Sequence, residues 1–206
     1  MKPHLSVILP VSSHSDSLPL IILDIDRAVS GFEFETEIIL AKNGVDSEFE
    51  SMVKKLSETI KNLKLVKTEE TLGLTVAVRQ AVLLASGDFR LIADPENSIP
   101  VDQFSSAVPY LKSGIEVLIG HRVKGESSIY DYFKVQYIKE VFTKLFLRTF
   151  VFKKLQDPLC PFLIFKEQSA EAVFQDLKSE SDNLFLEVLK VVKKNGFSIA
   201  EFPILT

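Results

Sequence analysis

Short apolar segments alternate with segments of helical periodicity along the first part of the chain. The strand patterns are His4–Leu9, Thr36–Ala41, Leu63–Lys67, Phe89–Ala93 and Ile115–Ile119, and the helical patterns are Leu18–Val29, Ser47–Ile60, Gly73–Ser86 and Val101–Lys112. In such an alternation each helix returns the chain across the sheet, so that consecutive strands run parallel. The strand segments are apolar throughout, which is typical of strands covered on both faces. The sequence therefore predicts an α/β fold with a mostly parallel sheet and helices on both faces.

The pattern changes after Gly120. Ile129–Leu155 predicts a long helix, and a strand, a further helix and a final strand at Ser198–Pro203 follow it. A length of 206 residues indicates a single domain, because domains average roughly 150 residues. We therefore expect residues 1–206 to form one domain.

The composition excludes several classes of protein. The single cysteine, Cys160, excludes an intramolecular disulfide framework and a zinc site built on paired cysteines. The net charge of −4 and the isoelectric point near 5.5 argue against a nucleic-acid-binding protein, since such domains are usually basic. No apolar run approaches the roughly 20 residues of a membrane-spanning helix, and no signal-peptide pattern opens the chain. We therefore expect a cytoplasmic protein.

Two carboxylates follow the fourth predicted strand. Asp94 and Glu96 are separated by Pro95, which leaves a gap that a hard divalent cation can bridge. Ligands of parallel sheets bind beyond the carboxyl ends of the strands, where this segment lies. The sequence therefore predicts a site for Mg²⁺ or Mn²⁺, where the cation would hold a diphosphate and neutralise its charge as a leaving group. The alternative is a solvated turn whose acid caps the next helix.

Eight segments, each short, occur in the order and at the spacing of one known family. They are Leu5–Pro10, Thr71–Ala77, Ala85–Asp88, Asp94–Glu96, Gly120–Arg122, Gln156–Phe162, Phe185–Glu187 and Gly196–Ile204. Together they resemble the family-two glycosyltransferases, which have the GT-A fold. The branch that they resemble most is that of the dolichyl-phosphate mannose synthases and related polyprenyl-phosphate glycosyltransferases.

The resemblance implies that the chain transfers a sugar from a nucleotide diphosphate sugar, with inversion at the anomeric carbon, to a polyprenyl phosphate at the membrane surface. Residues 1–120 would be the nucleotide-sugar-binding half and residues 121–206 the acceptor-side half. The implied nucleotide-binding residues are Pro10, Val11, Ser12, Asn43, Gly73 and Asp94. Asp94 and Glu96 stand where the family has its metal-binding Asp-x-Asp.

The chain departs from the family pattern at several positions. Ser13 and His14 replace the usual Asn-Glu pair, and Lys42–Val45 replaces Asp-Asp-Gly-Ser, whose acids normally hold the nucleobase and ribose. Glu96 replaces the second aspartate of the metal motif, and Pro161 replaces a glycine. These departures keep an alternative open, which is a catalytically silent GT-A domain that binds a nucleotide sugar or a protein partner.

Arg122 and Asp157 are the candidate catalytic residues. Arg122 follows the fifth predicted strand, where its guanidinium would make a bidentate, charge-assisted contact with the departing diphosphate. A polyprenyl phosphate is already anionic near neutral pH, because phosphate monoesters have a second pKa of about 6, and it needs no strong base. A saccharide hydroxyl needs a carboxylate to take its proton, and Asp157 is the candidate. A soluble transferase that acts on a saccharide is therefore a further alternative.

Basic and aromatic side chains are interleaved in Phe133–Gln156. Lys134, Lys144 and Arg148 are among the basic residues, and we assign them to the acceptor and membrane side. Such a helix is typical of one that lies on an anionic lipid surface, and the resembled family has a membrane-facing region here. The protein would then bind peripherally to the cytoplasmic face of a membrane. The alternative is a core helix whose lysines form its solvated face.

Overall fold

The computed structural model describes residues 4–12, 16–95, 101–123, 155–177 and 184–205. Seven strands occur in these ranges: β1 Leu5–Pro10, β2 Thr36–Asn43, β3 Leu63–Thr68, β4 Phe89–Ala93, β5 Val117–Val123, β6 Phe162–Lys166 and β7 Ile199–Leu205. The helices are α1 Leu18–Ser30, α2 Ser47–Thr59, α3 Gly73–Leu84, α4 Phe104–Lys112, α5 Glu167–Asp176 and α6 Leu184–Lys194. Short 3₁₀ turns at Glu70–Leu72 and Val101–Gln103 precede α3 and α4.

The seven described strands form one sheet in the order β3-β2-β1-β4-β6-β5-β7. β1 runs parallel to β2 and β4, β2 runs parallel to β3, and β5 runs parallel to β7. β6 lies between β4 and β5 and runs antiparallel to both. The prediction of an α/β fold with a mostly parallel sheet is therefore confirmed.

The central strands are buried along most of their length, as their mainly apolar sequence predicts. Every residue of β1 is buried, and Pro10, which has no N–H to donate to a ladder, is its last residue. Ala77 and Ala81 on α3 and Ala85, the residue that caps its end, are all buried. Their small side chains at a spacing of four residues allow the helix to pack closely on the sheet.

The second half contains one difference from the expected elements. The structure has two described helices, α5 and α6, between β6 and β7, where the sequence pattern indicated one. The predicted long helix Ile129–Leu155 lies outside the described residues except for Leu155, which is buried and not helical. Within the part of the chain that is described, no helix is both long enough and apolar enough to span a bilayer.

The strand directions bring most of the predicted site residues to one end of the sheet. This carboxyl end is the end at which β1, β2, β3, β4, β5 and β7 finish and the antiparallel β6 begins. The amino end is the opposite one. Because ligands of open α/β sheets bind at the carboxyl end, this end is the expected position of the site.

Candidate active site

The end of β1 supplies backbone more than side chains. Pro10 closes the strand, and the N–H of Val11 donates to Ala41 O at 2.9 Å, which extends the pairing of β1 with β2 by one bond. Val11 is buried, whereas Ser12 is exposed. Of these three predicted nucleotide-binding residues, Ser12 presents its side chain to solvent at the carboxyl end.

The end of β2 packs tightly against the turn before α3. Asn43 Nδ2 donates to Glu70 O at 3.2 Å, and Gly44 N donates to Thr68 O at 3.1 Å. Gly44 has φ +62°, and a Cβ there would lie 2.9 Å from Glu70 Cγ. A glycine is therefore needed at this turn, which holds Asn43 at the carboxyl end next to β3.

Lys42 shows how this chain fills a position that is acidic in the resembled family. Its side chain is only 8% exposed, and its Nζ lies 5.3 Å from the centroid of the Phe49 ring. Phe49 is held there because its N–H donates to Asp46 Oδ1 at 2.8 Å in the N-cap of α2. The structure thus buries the ammonium over an aromatic face, which favours a cation electrostatically. The ammonium group that stands in place of the family's acid is therefore packed into the core beneath the carboxyl end.

Gly73 marks the start of α3. Its backbone has φ +76° and ψ 162°, a conformation that is essentially restricted to glycine. A Cβ at this position would have no heavy atom within 4 Å, so the constraint is conformational and leaves space in front of the helix. The predicted nucleotide-binding glycine is therefore required by the backbone at the site.

Asp94 follows β4 directly, at the centre of the carboxyl end. Its N–H donates to Pro161 O at 3.1 Å, which ties the end of β4 to the start of β6. Glu96, the other predicted metal ligand, lies outside the described residues. Among the described residues no group of three or more His, Cys, Asp or Glu side chains could hold a metal by itself. Mg²⁺ commonly takes only one or two carboxylates together with phosphate oxygens of its substrate, so the hard oxygen donor of Asp94 fits Mg²⁺ or Mn²⁺.

The two predicted catalytic residues are brought together as an ion pair. Arg122 Nε donates to Asp157 Oδ2 at 2.7 Å and Nη2 donates to Oδ1 at 3.0 Å. The Arg122 side chain is 26% exposed and that of Asp157 is 7% exposed. Both carboxylate oxygens therefore accept from the guanidinium, which disfavours proton abstraction by Asp157. The arrangement favours instead a role for Asp157 in orienting Arg122.

Glu201 on β7 completes this cluster, although the sequence analysis gave it no role. Its Oε1 accepts from Gln156 N at 2.7 Å and from Asp157 N at 2.8 Å, and its Oε2 accepts from Gln156 N at 2.8 Å. The only sequence signal was the position of Glu201 within the last of the eight matching segments. The hydrogen bonds are made to backbone, which side-chain patterns do not reveal.

A second buried carboxylate lies at the amino end of the sheet and was not identified from the sequence. Glu37 is 3% exposed and accepts from Lys64 Nζ at 2.5 Å, from Ser6 Oγ at 2.5 Å, and from Ser86 N and Oγ at 2.7 and 3.0 Å. Burial raises the pKa of Glu37, but the hydrogen bonds from Lys64, Ser6 and Ser86 outweigh burial and lower the pKa below 4.5. Glu37 is therefore a charged, fully engaged group far from the candidate site.

The predicted residues of the acceptor and membrane side are, like Glu96, not described. Lys134, Lys144 and Arg148, assigned to the acceptor and membrane side, lie outside the described residues, and their role stays a prediction. Glu187, the last residue of the matching segment Phe185–Glu187, lies on α6 and accepts from Lys190 Nζ at 2.6 Å.

The comparison with protein families identifies the chain. The model of glycosyl transferase family 2 matches residues 6–174, so the chain belongs to this family. The predicted family is thereby confirmed.

The similar curated proteins are sugar transferases. A dolichyl-phosphate beta-glucosyltransferase from Dictyostelium discoideum is 22% identical over 218 residues, covering 98% of this chain and 65% of that protein. A dolichol-phosphate mannosyltransferase from Pyrococcus furiosus is 22% identical over 200 residues, covering 96% of this chain and 55% of that protein. This chain therefore spans somewhat more than half of the length of these two relatives.

Solved structures agree on the fold. Glucosyl-3-phosphoglycerate synthase from Mycobacterium tuberculosis, in complex with Mn²⁺, UDP-glucose and phosphoglyceric acid, superposes with a TM-score of 0.66 at 14% identity. The match covers 99% of this chain and 70% of that one. At this identity the likeness supports the fold alone.

Proposed function

We propose that the chain carries out metal-dependent, inverting transfer of a sugar from a nucleotide diphosphate sugar to a polyprenyl phosphate. The observation that carries the proposal is that three predicted site residues lie at the carboxyl end of adjacent strands. Asp94 follows β4, Asp157 lies shortly before β6, and Arg122 lies on β5. A carboxylate for the metal and a guanidinium for the diphosphate are the two groups that this reaction needs.

The donor side rests on Asp94 and the glycine turn at Gly73. Asp94, with Glu96, would hold Mg²⁺ or Mn²⁺, which supplies positive charge to the diphosphate when bound. Pro10, Val11, Ser12 and Asn43 would line the nucleotide on the β1 and β2 side of the same end. A protein of the same fold has been crystallised with Mn²⁺ and UDP-glucose, which is a donor of this type.

The site has to stabilise the negative charge of the leaving group. As the sugar departs, negative charge develops on the diphosphate, and the Arg122 guanidinium would stabilise it through charge-assisted hydrogen bonds. Asp157 keeps the guanidinium plane fixed through two bonds. A preoriented cation needs no reorganisation during the reaction, which is the condition for effective electrostatic catalysis.

The state of Asp157 favours an anionic acceptor. In an inverting step the acceptor oxygen forms a bond to the anomeric carbon while the bond from that carbon to the diphosphate breaks. A phosphate oxygen that is already ionised has no proton to lose, so the engagement of both Asp157 oxygens by Arg122 is no obstacle. A saccharide hydroxyl would need a base, and the pairing therefore counts against the alternative of a saccharide acceptor. The names of two relatives, which refer to dolichyl or dolichol phosphate, support the same choice.

The acceptor would be reached at a membrane surface. We propose peripheral binding at the cytoplasmic face, through Lys134, Lys144 and Arg148 on anionic lipid. Flotation with vesicles of phosphatidylserine and phosphatidylcholine tests this proposal. The double variant Lys144→Glu/Arg148→Glu should float less than the unaltered protein, and equal flotation of the two would contradict it.

A thermal-shift panel tests the donor site. Mn²⁺ or Mg²⁺ together with one of UDP, GDP or CDP should raise the melting temperature, because a ligand that binds only the native state stabilises it. Asp94→Asn should lose the metal-dependent part of the shift. No shift with any of the three nucleotides would favour a silent domain that binds a protein partner, an alternative that the basic Lys42 keeps open.

A further inference from the structure

A chain of hydrogen bonds connects β7 to the guanidinium of Arg122. Glu201 accepts the backbone N–H groups of Gln156 and Asp157, and the Asp157 carboxylate in turn accepts from Arg122 Nε and Nη2. We propose that Glu201 is a positioning residue that sets the orientation of Arg122 through Asp157. This inference rests on the proposed function, since Arg122 is there the group that acts on the diphosphate.

The segment before β6 needs such an anchor. Residues 155–161 form no helix or strand, and their internal order comes from bonds such as Cys160 N to Asp157 O at 3.1 Å. Two consecutive N–H groups, of Gln156 and Asp157, converge on the single carboxylate of Glu201 at 2.7 to 2.8 Å. Hydrogen bonds to an ionised acceptor are about twice as strong as those between neutral groups. Glu201 therefore fixes the peptide from which the Asp157 side chain extends.

The sheet register explains why a residue on β7 has this effect. β7 is the parallel neighbour of β5, with Glu201 opposite Ile119 and Ile204 opposite Arg122. Glu201 and Arg122 are thus held by the same strand pair, and the Asp157 segment is bound to both strands. A change in the Glu201 carboxylate would shift Asp157 relative to Arg122 without altering either strand.

The opposite end of the same two strands offers a matched control. Glu116 directly precedes β5, and Ser198 directly precedes β7. The Glu116 carboxylate accepts from Ser198 N at 2.9 Å and from Ser198 Oγ at 3.0 Å. Like Glu201, it is a carboxylate beside this strand pair that accepts a backbone N–H, but it does so at the amino end. Glu116→Gln therefore removes a comparable contact between a carboxylate and the backbone, and it leaves the segment that carries Asp157 untouched.

The first readout is steady-state transfer from the nucleotide sugar by the full chain. Glu201→Gln should lower kcat by about tenfold to 100-fold, because a displacement of about 1 Å in a positioning contact can cost about 100-fold. The donor KM should change less than twofold, since the contact of Arg122 strengthens as charge develops. Glu116→Gln should leave both constants within twofold. Glu201→Asp keeps the charge, but its side chain is too short to accept both N–H groups. Its kcat should therefore lie between those of Glu201→Gln and the unaltered protein. It replaces Glu201→Gln if that variant does not fold.

A coupling measurement separates positioning from general weakening. If Glu201 acts through Asp157, Glu201→Gln added to Asp157→Asn should lower kcat no further than the more damaging single change, since residues in one network are not additive. Glu116→Gln added to Asp157→Asn should multiply the two separate effects.

The second readout does not depend on activity. The Nε–H resonance of Arg122, assigned by its loss in Arg122→Lys, should exchange with water faster in Glu201→Gln than in the unaltered protein and stay unchanged in Glu116→Gln. If this holds while no sugar transfer is found, the positioning role stands and the proposed function fails. If Glu201→Gln leaves the exchange unchanged, or if both glutamate variants change it equally, the positioning role is overturned.

Discussion

The two ends of the sheet each bury a carboxylate, but they use it differently. At the amino end, Glu37 is surrounded by donors from Lys64, Ser6 and Ser86. At the carboxyl end, Asp157 is paired with Arg122, whose side chain remains 26% exposed. The first arrangement uses the negative charge to hold strands and a loop together. The second holds a positive charge in place at a surface where a ligand can approach.

This contrast separates stability from activity. A buried carboxylate that is surrounded by hydrogen-bond donors contributes mainly to the free energy of folding, since its loss leaves buried donors unsatisfied. A partly exposed pair contributes less to folding because solvent screens it, and its value lies in orientation. Substitutions at the two ends should therefore affect different measurements.

The largest expected effect on activity is that of a substitution at Asp94, which follows β4. Asp94→Asn should lower the rate of sugar transfer by about 10²- to 10³-fold, the scale of losing one electrostatic group in an active site, with little change in melting temperature. Asp88→Asn is the control, because Asp88 precedes the same strand and contacts His4 Nδ1 at the amino end. Its rate should stay within twofold, and an equal loss in both variants would remove the functional distinction between the ends.

Glu37→Gln should have the largest effect on stability. We expect a loss of about 2 kcal/mol in the free energy of unfolding at neutral pH, since several bonds to a charged acceptor are weakened. The pKa of Glu37 is lowered in the folded state, so its contribution is present above about pH 4.5 and is lost as pH falls through the folded-state pKa. Urea unfolding at pH 7 and pH 3.5 should show a smaller difference between variant and unaltered protein at the lower pH. A difference that grows on acidification would contradict the assignment.

Arg122→Lys tests the geometry of the pair at the carboxyl end. Lysine keeps the charge but cannot form the two parallel bonds of a guanidinium, so kcat should fall by about tenfold. The melting temperature should change by less than in Glu37→Gln. Full activity in the lysine variant would show that charge alone is sufficient and that orientation is not required.

Gly73→Ala should have the smallest effect. The backbone conformation at Gly73 disfavours any side chain by about 1 kcal/mol or somewhat more, while no atom obstructs the added methyl group. We expect a small decrease in the free energy of unfolding. The donor KM should rise clearly, because the start of α3 would shift. Unaltered donor KM by kinetics, together with lower stability, would place Gly73 outside the nucleotide site.

The helices and strands that show a clear hydrophobic pattern were predictable from the sequence. Leu18, Ile22, Ile25 and Val29 repeat at helical spacing and are all buried on α1, and β4 begins and ends at the predicted residues. The direction of β6 was not predictable, because a short apolar strand has the same pattern in either direction. The order of the strand-end motifs was more informative, because it singled out Asp94, Arg122 and Asp157, which lie at the carboxyl end of neighbouring strands.

The contacts within the site were less predictable for physical reasons. Arg122 and Asp157 are 35 residues apart in the chain, and nothing local indicates that they pair. The burial of Lys42 contradicts the usual exposure of lysine and depends on the Phe49 ring from the next helix. Backbone-directed bonds such as those of Glu201 leave no periodic trace at all.

The reversed direction of β6 has a consequence for how this family can diversify. Because β6 begins where its neighbours end, the chain reaches the carboxyl end of the sheet just before this strand, and Asp157 lies in that segment. Substitutions in the few residues between Leu155 and β6 would change this end of the sheet, while the ladder of β6 with β4 and β5 would keep its alignment. We therefore expect differences among relatives in this short stretch to alter the surface at the carboxyl end and to leave the strand pairing unchanged.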